Sequence, residues 1–165
     1  MEQLAKYKKA LNFMRRNLKG EVLLDLGCGT GLFVNFASKK INILYYIGLD
    51  LSYIAALKCK ERIAHTNVMG DVIVADILHI PIRMNFKFDI IISFSVIHLF
   101  SDEMIKTIKC YVKVGSIVIL TLLKKFSHRI NKLLYIIKCK LLILVEPDKV
   151  KDIIVICYVD ERDDK

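Results

Sequence analysis

The chain has 165 residues, one domain's worth, enough to bury ~68–70% of its unfolded surface around a single core and too few for a two-domain enzyme. Its apolar share of 55%, with 7 Gly and 2 Pro, stands above the globular norm of roughly 45–50% and excludes disordered, collagenous and low-complexity classes. Lysine and arginine number 26 against 17 acids, a net charge of +9 that fits a polyanionic partner such as RNA and equally a chain that is basic by composition alone.

Leu4, Tyr7, Leu11, Met14 and Leu18 fall at helical spacing with the basic residues mostly on the other side, which predicts an amphipathic first helix within residues 1–20. Glu21 to Leu26, Leu44 to Leu49, Val72 to Ala75, Phe88 to Ser93 and Ser116 to Leu122 are short apolar runs of the kind buried on both faces of a parallel sheet. Between them, helices are predicted over Leu32 to Ser38, Tyr53 to Arg62 behind a Ser52 cap, Asp102 to Tyr111 behind a Ser101 cap, and Ser127 to Ile137. Leu141 to Val145 and Ile153 to Val159, joined through Glu146, Pro147 and Asp148, are too close for a crossover helix and should pair antiparallel. The whole reads as a single domain, with a first helix in 1–20, a core over 21–160 and an acidic tail in 161–165.

The first twenty residues interrupt every apolar run with Lys or Arg, unlike a secretory leader, and the most apolar stretch, Leu133 to Val145, is broken by Lys138 and Lys140. A cytoplasmic protein without a membrane segment is expected. The 5 cysteines are odd in number and show no C-x-x-C spacing, so they are expected to be reduced packing residues rather than zinc ligands or disulfide partners.

Residues 22–33, VLLDLGCGTGLF, set Gly27, Gly29 and Gly31 directly after a buried strand and directly before a helix, where backbone N–H groups can meet a ligand's polar end. The dinucleotide fingerprint fails because Leu32 stands where its third glycine belongs, and a phosphate-cradling Walker loop fails because no Gly-Lys-Ser or Gly-Lys-Thr follows. Asp50 and Asp76 close the second and third strands, in the crevice where such sheets bind ligands. A strand-end aspartate can equally cap the helix that follows it. Asp89, at the start of the fourth strand, lies away from that crevice and reads as structural.

Taken together, Asp25 two residues before three alternating glycines, GLDLS around Asp50, ADILHIP around Asp76 and FDIIISFSVIHLF over 88–100 resemble the class I S-adenosylmethionine-dependent methyltransferases. The resemblance runs from about Glu21 to Leu122. It implies an α/β fold, a three-layer α/β/α sandwich on a mostly parallel seven-stranded sheet of order 3-2-1-4-5-7-6 with its last strand antiparallel. It also implies S-adenosylmethionine as cofactor, held by Asp25, Gly27, Cys28, Gly29, Thr30, Gly31, Asp50, Leu51, Asp76, Ile77 and Ser93. Within that likeness Asp50 accepts from the ribose hydroxyls, and Asp76 and the Ile77 backbone face the adenine.

The family's run of two prolines and a tyrosine after strand four, used for amide and adenine amines, is replaced here by Ser93-Phe94-Ser95-Val96, and no cysteine has the setting of a pyrimidine C5 nucleophile. An oxygen, ring-nitrogen or other ready nucleophile is left as acceptor. His98, just past strand four, is the candidate catalytic base, or else a packing residue. Phe94 and Phe100 can wall the acceptor pocket or fill core. The basic first helix and the acid-free stretch 124–140 favour RNA or another translation component as substrate. A small-molecule acceptor and a non-catalytic, cofactor-binding subunit are the alternatives. An unguarded third strand, at the sheet edge in the family's order, is expected to pair with a small activator protein of the sort that solubilises several methyltransferases of the translation apparatus.

Overall fold

The computed structural model describes residues 2–17, 21–145 and 151–160, with the side chains of residue 2 and of residues 15–17 outside that description. The predicted turn at Glu146, Pro147 and Asp148, the tail 161–165 and the side chains of Arg15 and Arg16 therefore lie outside the described residues.

Seven strands form one sheet of order β3-β2-β1-β4-β5-β7-β6. In chain order they are β1 (Glu21–Leu26), β2 (Ile43–Asp50), β3 (Gly70–Val74), β4 (Phe88–Ser93), β5 (Val112–Leu123), β6 (Cys139–Val145) and β7 (Asp152–Val159). The first five run parallel, whereas β7 pairs antiparallel with both β5 and β6. That is the fold the sequence implies.

Near-continuous apolar strands follow from a sheet covered on both sides. Leu24, Ile91 and Val155 point into one core, and Leu23, Ile90, Ile92 and Ile154 into the other. The second core is closed by helices α1 (Glu2–Asn17), α2 (Leu32–Ala37) and α3 (Tyr53–Ala64). The first is closed by α4 (Asp102–Lys109) and α5 (Ile130–Ile137). Each fully buried Leu, Ile or Phe contributes about 1.5–3 kcal/mol, so this double-sided burial dominates stability.

Local chemistry sets the helix starts. Ser52 accepts from the Ala55 N–H and Ser101 from the Met104 N–H, both at 3.3 Å, as their cap positions predict. Two boundaries differ from expectation by more than two residues. The predicted helix over Ser127 to Ile137 begins only at Ile130, because residues Lys124–Arg129 wind as a 3-10 turn with no side-chain cap. Strand β5 starts at Val112 rather than Ser116, since Gly115 at φ 84° and a register shift against β4 let the strand continue through an irregularity.

Asp89 has the structural role expected of it. It accepts from the Val22 N–H at 3.0 Å and pairs with Lys113 at 2.5 Å, clamping the starts of β1, β4 and β5. No helix among the described residues is long and apolar enough to cross a membrane.

Candidate active site

The carboxyl ends of β1, β2, β3 and β4 open onto a cleft with two lobes that share Gly27, Asp50 and Val96. The polar lobe, about 300 Å³, is bounded by the glycine loop, Asp25, Tyr7, Phe33 and Ser95. The apolar lobe, about 240 Å³, is bounded by Leu49, Leu51, Asp76, Ile77, Leu99 and Phe100.

Glycine is required in the loop for two separate reasons. A Cβ on Gly27 would stand 2.6 Å from the Val96 side chain, so the backbone there fits only without one. Gly29 has nothing within 4 Å of its missing Cβ and φ of 54°, which leaves the lobe's floor open to a ligand. From below, Arg62 of α3 donates to the Thr30 carbonyl at 2.5 Å and to its hydroxyl at 2.7 Å. The loop is thereby pinned.

Asp50 sits between the lobes with each oxygen already oriented. Oδ2 accepts from the Gly29 N–H at 2.8 Å and Oδ1 from the Ser52 N–H at 2.9 Å. Two backbone donors hold its carboxylate plane, leaving remaining lone pairs for a diol. Asp76 accepts from the Leu78 N–H at 2.9 Å, capping a 3-10 turn over Ile77–His79, while still bordering the apolar lobe. Asp76 thus caps the following turn and also stands at the cleft.

Asp25 is 2% exposed and accepts from the Tyr46 hydroxyl at 2.7 Å. Burial pushes its carboxyl up to about 7, the nearby Asp50 charge adding to the rise and the Tyr46 hydrogen bond opposing it. Burial and the Asp25 charge likewise push the Tyr7 hydroxyl up to about 12, which keeps it a neutral donor. Cys28 is buried, and its hydrogen bond with Cys59 and its burial raise its thiol, so it stays protonated.

Two expectations need correction. Ser93 is wholly buried and donates to the Leu26 carbonyl at 3.0 Å, tying β4 to β1; it borders neither lobe. His98 also borders neither lobe. A 3-10 turn over Ile97–Leu99 tucks Ile97 into the core and lays the His98 ring flat against Phe126, with centroids 5.2 Å apart and planes at 13°. Its Nδ1 is buried without a hydrogen-bond partner among the described residues, and burial lowers its pKa.

The site also holds residues that sequence reasoning missed. The first two turns of α1 supply Gln3 and Tyr7 to the polar lobe. Tyr7 meets Phe33 and Phe94 edge-on, at 5.4 and 5.0 Å, and forms an aromatic wall with them. Behind that wall Lys6 pairs with Asp152 at 2.5 Å, each side chain 3% exposed. Ser95, at φ 63°, accepts from Lys6 and donates to Asp152 at 2.9 Å. A lysine just off the apolar stripe of α1 was the available signal.

Residues 23–115 match the methyltransferase domain family. Among curated proteins the chain is similar to a tRNA (carboxymethyluridine(34)-5-O)-methyltransferase of Arabidopsis thaliana, 30% identical over 72% of this chain and 28% of that protein. It is also similar to a malonyl-[acyl-carrier protein] O-methyltransferase of Hamiltonella defensa, 35% identical over 49% of this chain and 31% of that one. The chain thus spans under a third of the length of either relative. Its fold is that of the N-methyltransferase NodS of Bradyrhizobium japonicum, solved with S-adenosyl-L-homocysteine, at TM-score 0.78 and 13% identity over 95% of this chain and 87% of that one.

Proposed function

Since the chain belongs to the methyltransferase domain family and its cofactor is S-adenosylmethionine, we propose that it methylates an oxygen of an RNA substrate, a carboxylate carried on a tRNA nucleoside. The observation that carries the reading is the acceptor end of the polar lobe. It offers neutral donors, Gln3 and Tyr7, beside a Ser95 hydroxyl that the Lys6–Asp152 pair holds in place, while His98 is turned away against Phe126. Such a surface suits an acceptor that arrives as an anion and needs no base to remove a proton. Both curated relatives are named as O-methyltransferases, and carboxymethyluridine and malonyl groups each carry a carboxylate.

In this reading the adenosine lies in the apolar lobe, with Asp76 and the Ile77 backbone toward the base and Asp50 accepting from the ribose hydroxyls. Gly27, Gly29 and Gly31 admit the methionine portion, and Asp25 lends negative charge where a cation binds. Bound S-adenosylmethionine supplies a sulfonium-activated methyl group for in-line displacement. The work of the chain is to align the acceptor oxygen and keep water out, the task of the wall made by Tyr7, Phe33 and Phe94.

The RNA part rests on the tRNA relative and on the exposed Lys124 and Lys125, which follow the carboxyl end of β5, the end of the sheet onto which the cleft opens. An acyl group on an acidic carrier protein is the second reading, favoured by the malonyl relative. A small activator protein along β3, which is an edge of the sheet, belongs to the same proposal. The test is incubation with methyl-labelled cofactor and, separately, tRNA, acyl carrier protein and a metabolite extract. We expect label in tRNA, released as methanol by mild alkali as an ester is. Alkali-stable label, or label confined to the carrier or to metabolites, overturns the tRNA carboxylate.

A further inference from the structure

A further cavity, about 510 Å³, lies away from the cleft. It opens where the last turns of α4 and α5 meet the start of β6 and the end of β7. Because β7 runs antiparallel to β5, with Asp152 opposite Leu123 and Tyr158 opposite Ile117, this is the opposite end of the sheet from the glycine loop.

Four lysines ring the cavity, Lys106 and Lys109 from α4, Lys138 just past the end of α5 and Lys140 from the start of β6. Among the described residues that line it, Asp160 is the single acid, and it is paired with Lys140 at 2.8 Å. Tyr135 forms part of the wall and is 84% exposed, an aromatic ring held out over an apolar floor contributed by α5. A positive rim, an available ring and a concave apolar floor together match one ligand chemistry: a planar base with phosphates on either side.

We propose that this cavity is a second RNA-binding site, which takes an unpaired nucleotide of the substrate, its base stacked on Tyr135 and its phosphates on Lys106 and Lys109. The inference rests on the RNA reading above and extends it to a docking site remote from the chemistry. The two sites are joined by α4. Its first turn brings Met104 to the apolar lobe and its last turn brings Lys109 to the cavity, five residue steps or about 7.5 Å along the helix axis at 1.5 Å each. An RNA chain of more than one nucleotide can reach both. The apolar strand β6 beside the cavity could instead favour an anionic membrane surface, but a membrane presents a plane, whereas these lysines surround a concavity.

The experiment is equilibrium binding of bulk tRNA, and of vesicles containing phosphatidylserine, to the wild type, to Tyr135→Ala and to Lys106→Glu/Lys109→Glu. Cofactor affinity and thermal midpoint monitor folding. We expect each variant to lose about tenfold or more in tRNA affinity, since stacking on one aromatic and two phosphate contacts carry that much. The slope of log affinity against log salt should fall by roughly 1.4 in the double variant, about 0.7 per single-strand contact. Cofactor affinity should not move, and KM for tRNA should rise with kcat at saturation unchanged. Wild-type tRNA affinity in both variants overturns this site and leaves the RNA reading standing. Failure of the wild type to bind any tRNA overturns both. Vesicle binding that the lysine changes abolish, with tRNA binding untouched, overturns it in favour of a membrane.

Discussion

Tyr46 donates its hydroxyl hydrogen to Asp25 Oδ2 at 2.7 Å beneath the glycine loop, with both residues buried. A buried carboxyl with one neutral donor is only partly compensated for its charge, and burial raises Asp25 from 3.8 to about 7. A cation in the polar lobe favours the ionised form. Cofactor affinity should therefore climb between about pH 6 and pH 7.5 in the wild type and stay level in Asp25→Asn, as calorimetry across that range would read. Stability moves the other way. The folded chain keeps a proton that the unfolded chain releases near pH 4, so the wild type loses stability relative to the Asn variant from about pH 4 to 7 and no further above it. Parallel melting curves for the two proteins across that range would contradict the assignment.

Asp50 has two duties, orienting the loop through the Gly29 N–H and facing the junction of the lobes. Asp50→Ala should weaken S-adenosylmethionine and its demethylated product alike, by on the order of 1.5–3 kcal/mol for each charge-assisted hydrogen bond lost. Titration calorimetry measures both. Stronger binding of a nicotinamide dinucleotide than of S-adenosylmethionine would show that the loop had been misread.

His98→Ala should change turnover by less than about threefold, because the imidazole stacks on Phe126 outside the cleft. A general base in that position would cost about 10²–10⁴. Initial rates at pH 6, 7 and 8 discriminate the two cases. A large loss confined to high pH would return His98 to catalysis.

What could be read in advance was local. The strand, three alternating glycines and a helix start occupy twelve consecutive residues, 22–33, so their periodicity and breaks lie in one window. Asp50 and Asp76 were legible for the same reason, each ending an apolar run. The acceptor end was not, because Lys6 and Asp152 are 146 positions apart and meet only once α1 packs beside β7. His98 was misplaced because a 3-10 turn rotates successive side chains differently from a continued strand, and nothing in FSVIHLF marks that rotation. Tyr7 obeyed its helical spacing, but spacing cannot say that an apolar face will also line a cleft.

The two sheet edges differ in a way composition could not show. Strand β6 exposes four consecutive apolar residues, Leu141, Leu142, Ile143 and Leu144, at 45, 43, 37 and 45%, whereas on β3 Val74 is exposed at 48%, Val72 and Ile73 are only partly exposed, and Asp71 accepts from the Tyr45 hydroxyl at its start. A continuous apolar edge is a template for strand addition. Ile143→Lys should reduce self-association at high protein concentration more than Ile73→Lys does, read by light scattering. The reverse order would place the sticky edge at β3.

The last prediction concerns the anchor of α1. Lys6 and Asp152 form an ion pair at 2.5 Å with side chains 3% exposed, and Ser95 bonds to both. Removing one member of such a pair strands a charge in the interior at a cost of about 3–5 kcal/mol, whereas replacing both by apolar residues of similar size is often neutral. Lys6→Met should thus be strongly destabilising in urea unfolding. The double change Lys6→Met/Asp152→Leu should recover much of that loss, which a merely space-filling lysine would not allow. Function should not recover with it. The pair also fixes Ser95 and, through α1, Gln3 and Tyr7, so the double variant should bind cofactor through Asp50 nearly as before yet turn over acceptor more slowly, with a raised acceptor KM. Full turnover in a restabilised double variant would mean that the pair serves the fold alone and that the acceptor is oriented elsewhere.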